Sequence, residues 1–214
     1  MHKITTIILL CCAFLMTATD ISAQNADFKL LKSINSNPST ALRGYSRFVT
    51  NTTTGITLAT PAVMGVVGLI KKDDELLKNA IFVSAALGVD GVLTYSAKKA
   101  FHRQRPYLSY PDDIIAYETE KSLSFPSAHT SLAFSTATAL SLSYPKWYVI
   151  APGYFWACSV GYSRMNLGVH YPSDVLAGAV LGAGSAYITY KINEWFWKKQ
   201  ENKKLIGMQN FDPL

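Results

Sequence analysis

Five long apolar stretches, separated by short polar or charged segments, dominate the chain from residue 55 onward. They cover residues 55–70, 79–97, 129–144, 147–162 and 175–190 and are rich in Ala, Gly, Val, Leu and aromatic residues. A buried strand has about 4–8 residues, so stretches of this length are typical of helices. The pattern predicts an all-α protein whose core is a bundle of five long helices.

Small residues recur inside these predicted helices. They would let neighbouring helices approach closely, as in membrane bundles, and they are Gly65, Gly68, Gly178, Gly182 and Gly184. Each stretch falls at or below the ~20 residues that a bilayer crossing needs, so length alone does not separate a membrane bundle from a soluble helical domain. Asp90 lies within the second stretch, and we expect it to bond to a neighbouring helix.

The N-terminus has the layout of a secretory signal. Lys3 precedes an apolar stretch at residues 7–16, and small residues lead up to Ala23. This arrangement predicts a signal peptide at residues 1–23 that is cleaved after Ala23. An uncleaved first membrane helix is the alternative, although ten strongly apolar residues are short for a span.

One domain is expected in the remainder, because 214 residues leave little room for a second independent core. We divide the mature chain into an N-terminal segment on the exported side, a helical domain and a basic cytoplasmic tail, at residues 24–53, 54–192 and 193–214.

Composition favours a membrane protein with an anionic partner. Hydrophobic residues make up 49% and charged residues 16%, against about 25% charged residues in soluble domains. The net charge of +6 suits anionic substrates and lipid headgroups better than a nucleic-acid reader.

Successive membrane crossings place alternate loops on opposite sides of the membrane, which gives a test of the orientation of the protein. If the N-terminus is exported, the loops at Lys71 and Lys146 and the basic C-terminal tail all fall on the cytoplasmic side, as the positive-inside bias requires. The clusters of polar residues near Lys98, His129 and His170 then share the opposite face. This predicts a bacterial inner-membrane bundle with five crossing helices and a site that faces the periplasm.

The first polar cluster pairs Lys98 with Arg105, seven residues later and followed by Pro106. Seven residues are about two helical turns, so both cations would point the same way if the segment between them is helical. Arg105 can hold two phosphate oxygens in a fork, whereas Lys98 supplies a mobile charge. A basic loop that touches lipid headgroups is the alternative, and we assign His102 and Arg103 to such a loop.

The second cluster is the run from Pro126 to His129. Pro126 suits the first position of a helix, which would leave the amides of Ser127, Ala128 and His129 unpaired and able to bind an anion. An imidazole ordinarily titrates near neutral pH, so His129 could protonate an oxygen leaving from phosphorus. A capped helix with a surface histidine is the alternative.

The third cluster spans Arg164, His170 and Asp174. Pro172 predicts a helix start just after His170, with Asp174 in the first turn. Asp174 could hold one imidazole nitrogen of His170 and leave the other aimed at phosphorus. A plain salt bridge between Asp174 and Arg164 is the competing interpretation.

Taken together, in this order and at these spacings, the clusters resemble those of the type 2 phosphatidic acid phosphatase superfamily, which includes bacterial class A acid phosphatases and vanadium haloperoxidases. The resemblance runs from about residue 55 to 190. It implies an all-helical core, no metal or other cofactor for the phosphatases, and a phosphohistidine intermediate.

The resemblance also implies roles for individual residues. His170 would be the nucleophile, Asp174 its orienting partner and His129 the general acid and then base. The remaining residues would bind the phosphoryl group, and they are Lys98, Arg105, Ser127, Ala128 and Arg164. The family usually has Gly where this chain has Ala128, which would be strained if the backbone there required a positive φ.

The function expected from these observations is hydrolysis of a lipid phosphate or diphosphate at the periplasmic membrane face. A soluble periplasmic acid phosphatase for small phosphomonoesters is the first alternative. A vanadate-dependent haloperoxidase and a non-catalytic lipid-binding membrane protein are the others. The expected partners are the lipid substrate and the membrane, with no nucleic acid; which lipid is used, and the oligomeric state, are not readable from the residues.

Overall fold

The computed structural model describes residues 21–36 and 39–209, with side chains described for 25–36 and 39–196. Seven helices and no strand lie in these ranges, so the all-α expectation is confirmed there. Most of the expected signal peptide, residues 1–20, lies outside the described residues. The helices are α1 (Ile21–Asn35), α2 (Thr40–Lys71), α3 (Asp74–Phe101), α4 (Pro106–Ser109), α5 (Ala128–Ser143), α6 (Trp147–Asn166) and α7 (Pro172–Gln209).

α2 begins well before the first apolar stretch and runs through the expected boundary at residue 54. Ser39 caps its start, since the Ser39 hydroxyl accepts a hydrogen bond from the Leu42 amide at 3.2 Å. Its first half is polar because one side faces the interior of the bundle. The buried polar residues of this side recur every three or four positions, and they are Ser46, Thr50, Thr53 and Thr57.

The turn between α2 and α3 is sharply defined. Lys72 ends α2 in the left-handed conformation, and the Asp73 carboxylate accepts hydrogen bonds from the amides of Glu75 and Leu76 at 3.1 and 3.0 Å. With this tight turn, α3 runs back alongside α2. His102 ends α3 in the same left-handed way and turns the chain toward Arg105.

The closest helix packing joins α5 to α7, which contact each other most extensively. A Cβ atom on Gly182 would lie 2.0 Å from the Ser131 carbonyl oxygen, and one on Gly178 would lie 2.6 Å from that of Ser127. Only glycine permits this approach of two backbones. Gly184 differs from the expectation, because a Cβ atom added there would have nothing within 4 Å, and it takes no part in close packing.

The distribution of polarity is the reverse of that in a soluble domain. Ser, Thr and charged side chains are buried between the helices, whereas large apolar ones such as Leu69, Ile81, Val92 and Phe155 are more than half exposed. Three described helical stretches are long and apolar enough to cross a membrane, namely Thr40–Lys71, Asp74–Ser109 and Pro172–Phe196. The expected total of five crossing helices stays a prediction for the other two.

Asp90 is buried between α3, α5 and α7. Its Oδ1 accepts hydrogen bonds from the hydroxyls of Ser131 at 2.5 Å and Ser185 at 3.4 Å. The expected bond from this carboxylate to neighbouring helices is therefore confirmed, and Asp90 links three helices.

Helix α1 packs beside the long segment between α4 and α5, which we call the site loop (residues 110–127). Leu31 is fully buried against Ile114 and Tyr171. The Asn35 side chain donates to the Ile115 carbonyl at 3.0 Å and accepts from the Ile115 amide at 2.8 Å. α1 thus fastens the site loop to the bundle.

Successive long helices alternate in direction, so the end of α3, the start of α5, the end of α6 and the start of α7 meet at one end of the bundle. The three polar clusters lie at these four helix termini. Lys72 and Lys146 lie in the turns at the opposite end.

Candidate functional site

Two buried guanidinium groups converge on one carboxylate at this end of the bundle. The side chains of Arg105 and Arg164 are 2% and 0% exposed. Arg105 Nη2 donates to Glu120 Oε2 at 2.5 Å, and Arg164 Nη2 pairs with Glu120 Oε1. Glu118 binds the other nitrogen of the Arg164 fork at 3.1 Å. Glu120 is therefore held where two cations meet, one from the residue before α4 and one from the last turn of α6.

His170 adjoins this pair of cations. Arg105 Nη1 lies 3.1 Å from His170 Nε2 and donates to the Val169 carbonyl at 2.9 Å. A guanidinium can only donate hydrogen bonds, so the lone pair of the imidazole lies on Nε2 and its proton on Nδ1. Nδ1 faces Asp174 Oδ2 at 3.5 Å. The neutral ring thus presents its unprotonated nitrogen to the arginine site.

Asp174 is fully buried in the first turn of α7, as the sequence predicts. Its Oδ2 accepts hydrogen bonds from the Ser124 hydroxyl at 2.5 Å and the Tyr171 amide at 3.0 Å. Its Oδ1 accepts from Arg103 at 2.7 Å. The sequence alternative, a salt bridge from Asp174 to Arg164, is wrong, because Arg164 is paired with Glu118 and Glu120.

The start of α5 differs from the expectation for Pro126. Ser127 is the capping residue with an extended backbone, and the helix begins at Ala128, two residues after the proline. The Ser127 amide is not free, since it donates to the Asp174 carbonyl at 3.0 Å. Ala128 is helical, and the described residues other than glycine with positive φ are Lys72 and His102. Ala128 therefore carries no backbone strain in place of the usual Gly.

His129 and Lys98 both lie beside residues of the site loop. His129 Nδ1 is 3.8 Å from Glu120 Oε1. Lys98 Nζ donates to the carbonyls of Leu123 at 2.5 Å and Ser124 at 3.4 Å. The structure thus brings all eight residues named from the sequence to one end of the bundle, although Lys98 contacts loop carbonyls.

Burial and the arginines decide the charge states near the site loop. Burial lowers the pKa of His170 to about 4, against the attraction of Asp174. Burial and then Arg164 lower the pKa of His129 to about 4. Burial pushes the pKa of Glu120 upward, but Arg164 and Arg105 outweigh it and hold that pKa below its usual range. At neutral pH both imidazoles are neutral and Glu120 is ionised.

The sequence interpretation missed several residues of the site. These are Asp27, Arg103, Glu118, Glu120 and Ser124, of which Arg103 was assigned to a headgroup-binding loop. One signal could have pointed to the glutamates: buried arginines require anionic partners, and Asp174 alone could not serve two of them. Among the described residues, no group of three or more His, Cys, Asp or Glu is arranged to hold a metal ion.

Comparison with protein-family models gives a match to the PAP2 superfamily over residues 79–198, more than half of the chain. The chain belongs to the PAP2 superfamily. The resemblance drawn from the three clusters is thereby confirmed, and the matched region contains the eight residues for which it implies roles.

Two phosphatases that act on lipids, by their names, resemble parts of the chain. The undecaprenyl-diphosphatase of Sulfolobus acidocaldarius is 30% identical over 124 residues, which are 58% of this chain and 59% of that protein. The lipid A 1-phosphatase of Porphyromonas gingivalis is 33% identical over 123 residues, 55% of this chain and 25% of that one. The matches thus span between a quarter and three fifths of these relatives.

The fold of this PAP2 protein is that of a solved membrane phosphatase. The transmembrane PAP2 type phosphatidylglycerolphosphate phosphatase from Bacillus subtilis superposes with a TM-score of 0.73, covering 91% of this chain and 97% of that one at 24% identity. The shared fold therefore extends over most of the chain, including helices before residue 79.

Proposed function

We propose that this protein is a phosphatase that hydrolyses a lipid phosphate or diphosphate at the membrane surface through a phosphohistidine on His170. One observation carries the proposal: Arg105 and Arg164, both buried, converge on a single anionic group next to His170 Nε2. Cations are rarely buried without a function or a partner, and two that point at one position form a site for a tetrahedral dianion.

In the proposed first step, a phosphoryl group takes the place that Glu120 holds between the arginines. His170 Nε2 attacks phosphorus, the N–P bond forms and the bond to the leaving oxygen breaks. The negative charge of the bound phosphoryl group favours protonated His129, which gives that oxygen its proton and becomes neutral. Asp174 accepts a hydrogen bond from the Nδ1–H group of His170 and stabilises the positive charge that develops on the ring.

In the second step, His129 takes a proton from water, whose oxygen attacks phosphorus as the N–P bond breaks. Phosphate leaves and His170 is neutral again. The Ser127 hydroxyl, which accepts a hydrogen bond from Thr130 at 2.9 Å, keeps its own proton for a phosphoryl oxygen. The amides of the first turn of α5, including that of Ala128, are further donors. Charge neutralisation by the arginines and Lys98 would lower the barrier most.

The membrane-facing character of the bundle supports a lipid substrate over a small soluble ester. The site lies at the end of helices whose outer faces carry exposed apolar side chains.

We assign this end to the periplasm of a bacterial inner membrane, because Lys72 and Lys146 lie at the other end. The test is to add a short-chain lipid phosphate to intact spheroplasts. We expect its hydrolysis without lysis of the cells. Activity that appears only after lysis would place the site on the cytoplasmic side.

The test of the chemistry is the variant His170→Ala in detergent-purified protein, assayed by phosphate release from lipid mono- and diphosphates. We expect a loss of at least about 1,000-fold in kcat, because the nucleophile is removed. His102→Asn is the matched control, since His102 is exposed and Asn tolerates its left-handed backbone. Wild-type turnover in His170→Ala would refute the proposal.

A further inference from the structure

Arg103 connects the N-terminal helix to the carboxylate beside His170. Its Nη1 donates to Asp174 Oδ1 at 2.7 Å and to Ser173 Oγ at 2.6 Å, while Nη2 donates to Asp27 Oδ2 at 2.8 Å. The guanidinium also stacks on Tyr171, 3.9 Å from the ring centroid. One planar cation is therefore held between two carboxylates, a geometry for which its fixed fork is suited.

Asp27 also binds the beginning of α7 directly. Its Oδ1 accepts from the Ser173 amide at 2.8 Å, and its Oδ2 accepts from the Ser173 hydroxyl at 2.5 Å. The first amides of a helix have no partner within that helix, and a carboxylate there is also favoured by the helix dipole. Asp27, on α1, thus caps the helix that carries Asp174. The side chain of Asp27 is only 9% exposed, so water screens these contacts weakly.

These contacts divide the two oxygens of Asp174 between separate tasks. Arg103 holds Oδ1, whereas Oδ2 accepts from Ser124 and the Tyr171 amide and faces His170 Nδ1. A carboxylate fixed at one oxygen cannot rotate its other oxygen away from the imidazole. In the described residues, neither Arg103 nor Asp27 has a hydrogen bond to His170, Arg105 or Arg164, so both would act through Asp174.

We propose that Asp27 and Arg103 are positioning residues, by which helix α1 fixes the carboxylate of Asp174 against the imidazole of His170. The inference rests on the proposed function, in which His170 attacks phosphorus. Helix α1 would therefore contribute to catalysis, because it holds Asp174 in place.

The direct test is Asp27→Asn, which keeps the shape of the side chain but loses the charge that holds Arg103. We expect kcat to fall about 10-fold to 100-fold, because small misplacements of reacting groups have effects of this order. KM should stay within about twofold, since the phosphate contacts do not include Arg103. Lys32→Gln is the matched control: it removes another α1 ion pair, Lys32 with Asp113, and should leave kcat within about twofold.

Two substitutions at Arg103 separate its charge from its geometry. Arg103→Lys keeps the charge but cannot bridge both carboxylates, so kcat should fall as in Asp27→Asn while the pH profile stays in place. Arg103→Gln also removes the charge. The charged groups around His170 are Asp174, Arg105, Arg164 and Glu120. Without Arg103, Asp174 would attract a proton to His170 more strongly, and the acid limb of kcat/KM should move up by about 0.5–1 pH unit.

A double variant checks that both residues act through one contact. Asp27→Asn combined with Arg103→Lys should lose no more than the more damaging single change, since residues that act as a unit are not additive. Additive losses, a loss confined to KM, or an equal loss in Lys32→Gln would overturn the inference. Full activity in Asp27→Asn together with an inactive His170→Ala would remove this inference alone, whereas an active His170→Ala would remove the proposed nucleophile and the inference with it.

Discussion

The carboxylate of Glu120 competes with the phosphoryl group that we propose for the same position. Any dianion that binds Arg105 and Arg164 must first displace it. Glu120→Gln keeps the side-chain size and removes the charge. Hydrogen bonds to an ionised acceptor are worth about 1.5–3 kcal/mol and are roughly twice as strong as neutral ones. The glutamine therefore competes less by about 1–2 kcal/mol after allowance for the partial exposure of Glu120.

This difference corresponds to binding of inorganic phosphate that is about 5- to 30-fold tighter in Glu120→Gln. The measurement is the competitive inhibition constant of phosphate, the reaction product, in detergent-purified protein at pH 7. Asp112→Asn is the matched control, because it makes the same change of charge at an exposed position of the site loop. An unchanged or weaker inhibition constant in Glu120→Gln, or an equal gain in Asp112→Asn, would refute direct competition.

The pH dependence of this gain is fixed by the lowered pKa of Glu120. A carboxyl group with a lowered pKa keeps its charge throughout the neutral range and loses it only below its ordinary value of 4.5. The advantage of the glutamine should therefore be constant between about pH 5 and 8 and shrink in stronger acid, where the wild-type side chain becomes protonated.

Three further outcomes are expected. Burial keeps His170 neutral down to about pH 4, so the acid limb of kcat/KM, corrected for ionisation of the substrate, should lie well below the ordinary imidazole value of 6.5; a limb at 6.5 would contradict this. Gly182→Ala should prevent folding or sharply lower the melting temperature in detergent, because the new methyl group meets the Ser131 carbonyl, whereas Gly184→Ala should be neutral or stabilising. Asp90→Ala should lower the free energy of unfolding by about 1–3 kcal/mol without changing KM, since it leaves buried hydroxyls without their acceptor. A change in KM with unchanged stability would instead indicate that Asp90 contributes to substrate binding.

The apolar stretches predicted the helices well where both sides of a helix are apolar. They failed for the first half of α2, whose Ser46, Thr50 and Thr53 looked like a polar segment before the domain. In a membrane bundle the interior can be polar and the exterior apolar, so polar residues repeated every three or four positions indicate an inward face and not a loop. The same inversion explains why hydropathy placed the beginning of the helix too late.

The site was predictable to the extent that its residues lie in short motifs. His129, Arg164, His170 and Asp174 could be named because their spacing in the sequence carries the chemistry. Glu120 could not, since its role depends on how the site loop folds back between helices. The contacts of Asp27 join residues far apart along the chain, and no local spacing encodes such a pairing.

The glycines of α7 have a mechanical consequence for how the proposed lipid substrate would enter. Where the backbone of α5 rests directly on α7, with no side chains between them to rearrange, the two helices should move together as one rigid body. His129, on α5, and Asp174, on α7, would move with these helices. Widening of the entrance should then come from the site loop, whose polar attachments are hydrogen bonds and ion pairs that can break and re-form one at a time.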